Sequence, residues 1–312
     1  MEISIVGYSS IVERKILNAF NKIKEIKIVN IFSRRKLENE IFGLFKFKTN
    51  IFHIDELECY SQKCKSIFYY ISTENSTHDY YSHLLLKKYK NVIVDKPISI
   101  SKSYLEKNIT LAKKNNCFFS EALVWEYHSQ VDFLKKYILA NKVDMILIRF
   151  TIPIPAKNNF RVNKSAGSGV FWDMSSYFFS AIELFNLEEE NLFSFSKKVG
   201  GYNNQWFNVS SKNKVSLNAL FGFGFPYQNK LEVKSQKGFL NFNRIFTSDN
   251  QNPVFVDEVC IDKRIKHEFI DDSFLNYFKK VTYLINKKEY TQEIDKIIYR
   301  YEKIFNLKNN YE

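Results

Sequence analysis

The stretch Val92-Ile93-Val94-Asp95-Lys96-Pro97 decides the fold. Three consecutive β-branched residues without polar alternation read as a strand covered on both faces, the pattern of a central strand in a parallel sheet. The run stops at an acid, a base and a proline. Proline cannot donate to a ladder and holds the preceding residue in extended geometry, so Lys96 is expected just outside the carboxyl edge of the sheet. In open α/β sheets, ligands bind at that edge.

Outward from this stretch the same grammar repeats. Ile3 to Val6 is a short apolar strand closed by Gly7, and residues 11–24 set Ile11, Ile16, Leu17, Phe20 and Ile23 near helical spacing. A second strand over 26–32 ends at Ser33-Arg34-Arg35. Residues 51–59 contain a short acidic helix start, 67–72 form a third strand, and 77–90 form a helix leading into Val92. A helix over 103–114 and a strand over 117–120 follow. Strands alternating with helices at this spacing predict βαβ units joined by right-handed crossovers.

Near residue 120 the pattern changes. A helix over 128–140 precedes an alternating strand over 145–152 and a loop over 153–164 with two prolines. Gly167-Ser168-Gly169 then opens a long apolar helix over 170–185. Strand-like runs over 192–199, 205–210, 215–223, 230–235, 238–243 and 254–261 cluster without helices between them, which predicts an antiparallel sheet. Amphipathic helices over 272–286 and 291–306 complete the chain. The expected fold class is an α/β Rossmann N-terminal domain over residues 1–120, followed by a C-terminal α+β domain over 121–312. The second domain is built on an open, mainly antiparallel sheet, and the last helices are expected to pack back on the first domain.

Composition agrees with two folded domains. At 312 residues the chain exceeds what one core usually holds, and 45% hydrophobic with 17% aromatic residues supplies large cores. The net charge of +12, from 46 Lys plus Arg against 34 Asp plus Glu, is spread in pairs rather than gathered into a basic block. Dispersed charge of this kind predicts a solvated surface and no nucleic-acid partner. The four cysteines, Cys59, Cys64, Cys117 and Cys260, form no CxxC pair, so neither a metal site nor a disulfide framework is expected. The start at Met1 has no signal-peptide pattern, and no apolar run approaches the ~18 residues of a membrane span. A reducing cytoplasm is the expected compartment.

Three strand ends carry candidate chemistry. Gly7-Tyr8-Ser9-Ser10-Ile11-Val12 follows the first strand, where a dinucleotide fingerprint wants glycine at the first, third and sixth places. Only the first glycine is present, although Ser9 is small enough for backbone amides to meet a phosphate. Ser33-Arg34-Arg35 stands where an NAD-specific site carries an acid; two guanidiniums there favour the 2′-phosphate of NADP, or else start a helix as solvated arginines. Ser72-Thr73-Glu74-Asn75-Ser76-Thr77-His78 ends the third predicted strand. There, Ser76 or Thr77 suits an N-cap, and His78 is either a ligand contact or a first-turn capping residue.

Taken in order, these segments resemble the glucose–fructose oxidoreductase, inositol dehydrogenase and MocA family, written Gfo/Idh/MocA. The resemblance rests on Gly7 with its helix, Ser33-Arg34, Ser72 to His78 and Asp95-Lys96-Pro97. It continues through Glu121-Ala122-Leu123-Val124-Trp125-Glu126-Tyr127-His128, Phe160-Arg161, and Gly167 to Tyr177. It implies an NAD(P)-dependent oxidoreductase acting on a keto or hydroxyl group of a carbohydrate, nucleotide sugars included, and a homo-oligomer assembled through the C-terminal sheet.

The same resemblance implies roles. NADP, with NAD as the other option, would be held by Gly7, Ser9, Ser10, Ile11, Ser33, Arg34, Arg35, Ser72, Thr73, Asn75, His78, Asp95, Lys96, Pro97 and Glu121. Lys96, preceding a cis Pro97, would touch the reacting oxygen. Asp173 and Tyr177, four apart on one helix face, would complete the catalytic set, with Tyr177 giving the proton. Trp125, His128 and Arg161 would join Lys96, Asp173 and Tyr177 around the sugar. Four departures stand out: Glu74 for a proline, Glu126 for an arginine, and Ser168 and Ser175 for glycines. They leave one alternative, a cofactor-binding partner protein without catalysis.

Overall fold

In a computed structural model the chain forms two compact units, Met1–Leu123 with Phe274–Tyr299, and Val124–Ser273 with Arg300–Glu312. The structure describes residues 1–37, 43–163, 166–187, 193–197, 206–212, 215–248 and 252–309. Lys164, Leu192, Lys198, Val199 and Gln205, at the ends of predicted segments, lie outside the described residues.

In the first unit, β1 (Glu2–Val6), β2 (Ile28–Ser33), β3 (Lys48–His53), β4 (Tyr69–Ile71), β5 (Val92–Val94) and β6 (Phe119–Glu121) form one parallel sheet. Its order is β3-β2-β1-β4-β5-β6. Val92, Ile93 and Val94 are all 0% exposed, as the unbroken β-branched run requires between two neighbouring strands. The crossovers run through α1 (Leu17–Asn21), α2 (Leu57–Lys63), α3 (His78–Lys87) and α4 (Lys102–Lys114).

Two expectations for this unit need correction. The helix expected over 11–24 opens as a π-helical turn, Val12–Ile16, and ends at Asn21. The segment read as a helix start at 51–59 is the second half of β3, then a single 3₁₀ turn at Ile54–Glu56, then α2. That turn is capped by His53, whose backbone N–H donates to Glu56 Oε1 at 2.8 Å. β3 escaped notice because it pairs on one side only and none of its residues is buried, so its sequence carries no strong apolar pattern. α7 (Ser273–Lys287) supplies Tyr277 and Phe278 to this core: Phe278 lies edge-on to Phe20 at 4.6 Å, and the Tyr277 hydroxyl meets Ser120 at 3.1 Å.

The second unit begins with α5 (Ser129–Ala140) and β7 (Val143–Ile152) and continues through α6 (Val170–Phe185). β8 (Phe193–Lys197), β9 (Trp206–Lys212), β10 (Ser216–Phe223), β11 (Gln228–Ser235), β12 (Gly238–Phe242), β13 (Val254–Cys260) and β14 (Arg264–Phe269) follow. The sheet order is β14-β13-β12-β11-β7-β10-β9-β8, antiparallel except for the β7–β10 pair. Alternation in β7 buries Ile146, Ile148 and Phe150. On the neighbouring strands, Phe207 and Phe221 stack at 4.9 Å and receive Phe178 of α6 edge-on. β14 was not expected: its charged positions alternate with Ile265, His267 and Phe269, and its burial is only partial. After α7 the chain continues into α8 (Thr291–Asn309), whose residues from Arg300 onward belong to the second unit.

Candidate active site

The reversal of strand order lies at β1, which has β2 on one side and β4 on the other. This is the crevice where doubly wound sheets take a dinucleotide. Gly7 leaves β1 here with φ +94°, and its N–H donates to Phe32 O at 2.8 Å. A Cβ built on Gly7 would lie 2.5 Å from Ser72 O, so the turn and the β4 loop approach as only glycine permits. Ser9 joins the same wall, its hydroxyl 2.7 Å from that of Ser72 and accepting from Val12 N at 3.4 Å. Ser10 is exposed, Ile11 half-buried, and Val12 fully buried in the π-helical turn. The first fingerprint position thus fits a dinucleotide, while serine and valine replace the other two glycines.

The Lys96 loop is held from every side within its unit. Asp95 N–H donates to Ile71 O at 2.8 Å, and the Asp95 carboxylate accepts from Lys96 N at 2.9 Å and from Ser72 Oγ at 3.3 Å. The Lys96–Pro97 peptide is cis. Beyond it, Ile98 N–H donates to Glu121 Oε1 at 3.1 Å, tying the loop to the end of β6. His78, the first residue of α3, is buried, with Nδ1 2.7 Å from Pro97 O and Nε2 3.1 Å from Thr73 O. Burial pushes its pKa down, against the Pro97 carbonyl, the Asp95 carboxylate, the Thr73 carbonyl and the Glu121 carboxylate. His78 therefore joins the β4 and β5 loops, with each ring nitrogen within hydrogen-bond distance of a backbone carbonyl. Asn75 is buried in the same loop, and Thr73 accepts from the Thr77 hydroxyl at 2.7 Å.

The next residue of α3, Asp79, grips the far side of this loop through Ser99 and Ile100 N–H. It is 7% exposed and its Oδ1 has no partner. Burial pushes its pKa up from 3.8 to about 6, with the two hydrogen bonds pulling the other way. A carboxyl raised in the folded state stabilises the fold most below its unfolded pKa, and that contribution is lost as pH rises from about 4 through about 6. Asp79→Asn removes the buried charge and is expected to be about 1–3 kcal/mol more stable than the parent at pH 8, with the gap closing near pH 4. Urea midpoints at both pH values measure this, and a less stable variant at pH 8 would contradict it.

At the end of β2, Ser33 is buried and its hydroxyl accepts from Arg35 N at 3.1 Å. Arg35 Nη2 donates to Tyr8 O at 2.8 Å, bridging β2 to the glycine turn. Arg34 Nη2 forms an ion pair with Glu74 Oε1 at 3.0 Å.

The second unit brings together part of the expected sugar set. Arg161 Nε pairs with Asp173 Oδ2 at 3.0 Å, and the backbone supports this because Gly169 N–H donates to Arg161 O at 2.8 Å and Asp173 N–H to Gly169 O. One turn further along α6, half-buried Tyr177 packs its ring 5.3 Å from both Phe150 and Phe246. Trp125 and His128 stand differently. Trp125 is 1% exposed, donates Nε1–H to Ser180 Oγ at 3.0 Å and lies edge-on to Phe246, which is a packing position. His128 is fully buried and N-caps α5, Nδ1 accepting from Gln130 N at 3.2 Å; burial lowers its pKa against Asp271 and Asp272.

Glu126 does not stand as an isolated acid. Arg300 of α8, 4% exposed, reaches Glu126 at 3.2 Å and Glu183 of α6 at 2.8 Å. The two carboxylates balance the buried guanidinium, so Glu126 has a structural partner within its own unit. Sequence reasoning missed Arg300 because its partner lies 174 positions away.

Among the described residues, no group of three or more His, Cys, Asp or Glu side chains is arranged to hold a metal. No described helix is long and apolar enough to cross a membrane.

Comparison with known proteins bears on this geometry. Residues 1–123 match the Gfo/Idh/MocA family model, an oxidoreductase family with an NAD-binding Rossmann fold. A dTDP-3,4-didehydro-2,6-dideoxy-α-D-glucose 3-reductase from Actinomadura kijaniata is 24% identical over 174 residues, 52% of this chain and 51% of that protein. The match therefore spans about half the length of that relative. KijD10, a 3-ketoreductase from Actinomadura kijaniata solved as a tyrosine-to-phenylalanine mutant with TDP-benzene and NADP, superposes with a TM-score of 0.87 at 16% identity, covering 100% of this chain and 98% of that one. The same protein has also been solved with a lysine changed to alanine or to glutamate. An aldose-aldose oxidoreductase from Caulobacter crescentus, complexed with glycerol, gives a TM-score of 0.84 at 14% identity over 98% of this chain and 96% of that one. The likeness to the solved structures is one of fold.

Proposed function

Because residues 1–123 belong to the Gfo/Idh/MocA oxidoreductases, a family with an NAD-binding Rossmann fold, we propose that the chain is an NADP-preferring reductase of a keto group on a nucleotide-linked sugar. The observation that carries this reading is the Lys96 loop, a cation at the carboxyl edge of the sheet, where Asp95 on one side and Ile98 on the other are hydrogen-bonded to the ends of β4 and β6. The names of the Actinomadura kijaniata reductase and of its ligands support the choice of substrate and cofactor.

Gly7, Ser9, Ser72 and the β2-end arginines would hold the dinucleotide, which when bound supplies hydride to a carbonyl carbon. As the carbonyl oxygen gains negative charge, the Lys96 ammonium stabilises it. Tyr177 O–H gives the proton that completes the alcohol. Asp173, balanced by Arg161, binds sugar hydroxyls beside that tyrosine. The reading extends to a homo-oligomer formed through the open sheet and to a reducing cytoplasm, which suits four free thiols. The alternative of a cofactor-binding protein without catalysis loses part of its support, since Glu126 is paired with Arg300.

The test is NADPH oxidation with a panel of 3-keto and 4-keto sugars, free and nucleotide-linked. Turnover is expected with at least one nucleotide-linked member, and Tyr177→Phe should lower it by about 10²-fold or more. Cofactor binding with no turnover across the panel would favour the alternative.

A further inference from the structure

The end of β2 is where an acid normally accepts the ribose 2′-hydroxyl of NAD, and where an arginine instead takes the 2′-phosphate of NADP. Here the two chemistries meet. Arg34 occupies the strand end, and the loop after β4 delivers Glu74 to within 3.0 Å of its guanidinium. Burial raises the phenol pKa of Tyr81 on α3, and the nearby Arg34 guanidinium opposes that rise only in part. Arg35 is turned to the other side, onto Tyr8 O.

We infer that Glu74 is a cofactor-specificity residue that holds Arg34 back from the 2′-phosphate and thereby admits NAD alongside NADP. The inference rests on the reading that the first unit binds a nicotinamide dinucleotide. The Arg34 and Glu74 side chains are 62% and 42% exposed. Exposed pairs of this kind are weak and break readily. A 2′-phosphate, with close to two negative charges, would draw Arg34 away from the carboxylate but would then lie beside that carboxylate. Repulsion at this distance offsets part of the gain from the guanidinium. A 2′-hydroxyl meets no such penalty, because a carboxylate oxygen accepts its hydrogen. One acid therefore weakens NADP binding and assists NAD binding without touching the nicotinamide end.

The discriminating change is Glu74→Gln, which keeps the shape and an accepting oxygen while removing the charge. Dissociation constants for NADPH and NADH are read by fluorescence titration of the full chain, independently of any sugar substrate. NADPH should bind about five- to tenfold more tightly to Glu74→Gln, and NADH affinity should move by less than about twofold. Arg34→Gln should weaken NADPH alone. An unchanged affinity ratio in Glu74→Gln, or an equal loss of both cofactors in Arg34→Gln, overturns the inference and leaves the dinucleotide reading standing. Failure of the parent protein to bind either cofactor overturns both. The pair lies on the surface, so both variants are expected to fold, and thermal melts of each serve as the control.

Discussion

Lys96→Ala is expected to lower turnover of the best keto-sugar substrate by about 10²- to 10⁴-fold, the range seen when a group that stabilises developing charge or moves a proton is removed. NADPH affinity should stay within about threefold of the parent, for a structural reason. The backbone on either side of Lys96 is fixed by groups other than its ammonium: Asp95 bonds Ile71 O and Ser72, Ile98 N–H bonds Glu121, and Pro97 O meets His78. Truncation at Cβ leaves all of these in place, so the cofactor crevice should keep its form. The split between turnover and binding is therefore the diagnostic. A loss of NADPH affinity as large as the loss of turnover would make Lys96 a cofactor ligand. Turnover within about threefold of the parent would remove it from the chemistry, and Lys96→Arg, which keeps the charge but changes its shape, should recover only part of the rate.

The prominence of Lys96 in the sequence and the invisibility of Arg300 have one physical cause, the range of the interaction that fixes each. Val92 to Val94 are buried because they are β-branched and consecutive, a property of neighbours in the chain, and Pro97 sets the strand end by its own covalent geometry. Asp173 and Tyr177 share a face because they are four apart on α6. Edges and pairings across the fold are another matter. β3 and β14 are only partly buried, so neither carries the apolar pattern that announces a strand. The parallel β7–β10 pair inside an otherwise antiparallel sheet depends on the path of the chain through α6 and the two intervening strands, β8 and β9. In the sequence Glu126 stands alone as a reversed charge and Glu74 as a replaced proline; in the fold the first pairs with Arg300 and the second with Arg34. His78 and Trp125 mark the converse case. Their residue types suit a binding site, yet burial commits the first to two backbone carbonyls and the second to Ser180 and Phe246.

Gly7→Ala is expected to damage both the fold and the crevice, and a second glycine allows the two causes to be separated. Gly7 has φ +94°, and a Cβ there would meet Ser72 O at 2.5 Å, Ser72 C at 2.8 Å and Thr73 Cγ2 at 2.7 Å. A threonine methyl can rotate away, but the backbone carbonyl is anchored, since Ser72 N–H donates to Val6 O at 2.8 Å while Gly7 N–H is held by Phe32 O. The alanine therefore has to push β1 away from β4 or rotate out of the left-handed region and break the Phe32 bond. Gly43, in the same unit, has φ +90° and nothing within 4 Å of its Cβ position, so Gly43→Ala bears the backbone penalty alone, about 1–2 kcal/mol. Gly7→Ala adds the cost of overpacking, typically about 1–3 kcal/mol. Urea denaturation should thus rank the parent above Gly43→Ala and Gly43→Ala above Gly7→Ala. The functional readout separates them further. NADPH affinity should be unchanged in Gly43→Ala and lowered by about tenfold or more in Gly7→Ala, because an extra kilocalorie or two of distortion falls at the reversal of strand order, where the dinucleotide is expected to lie. Equal stability and equal NADPH affinity in the two variants would mean that the 2.5 Å approach at Ser72 is relieved without cost, and that the crevice between β1 and β4 does not depend on the glycine that opens it.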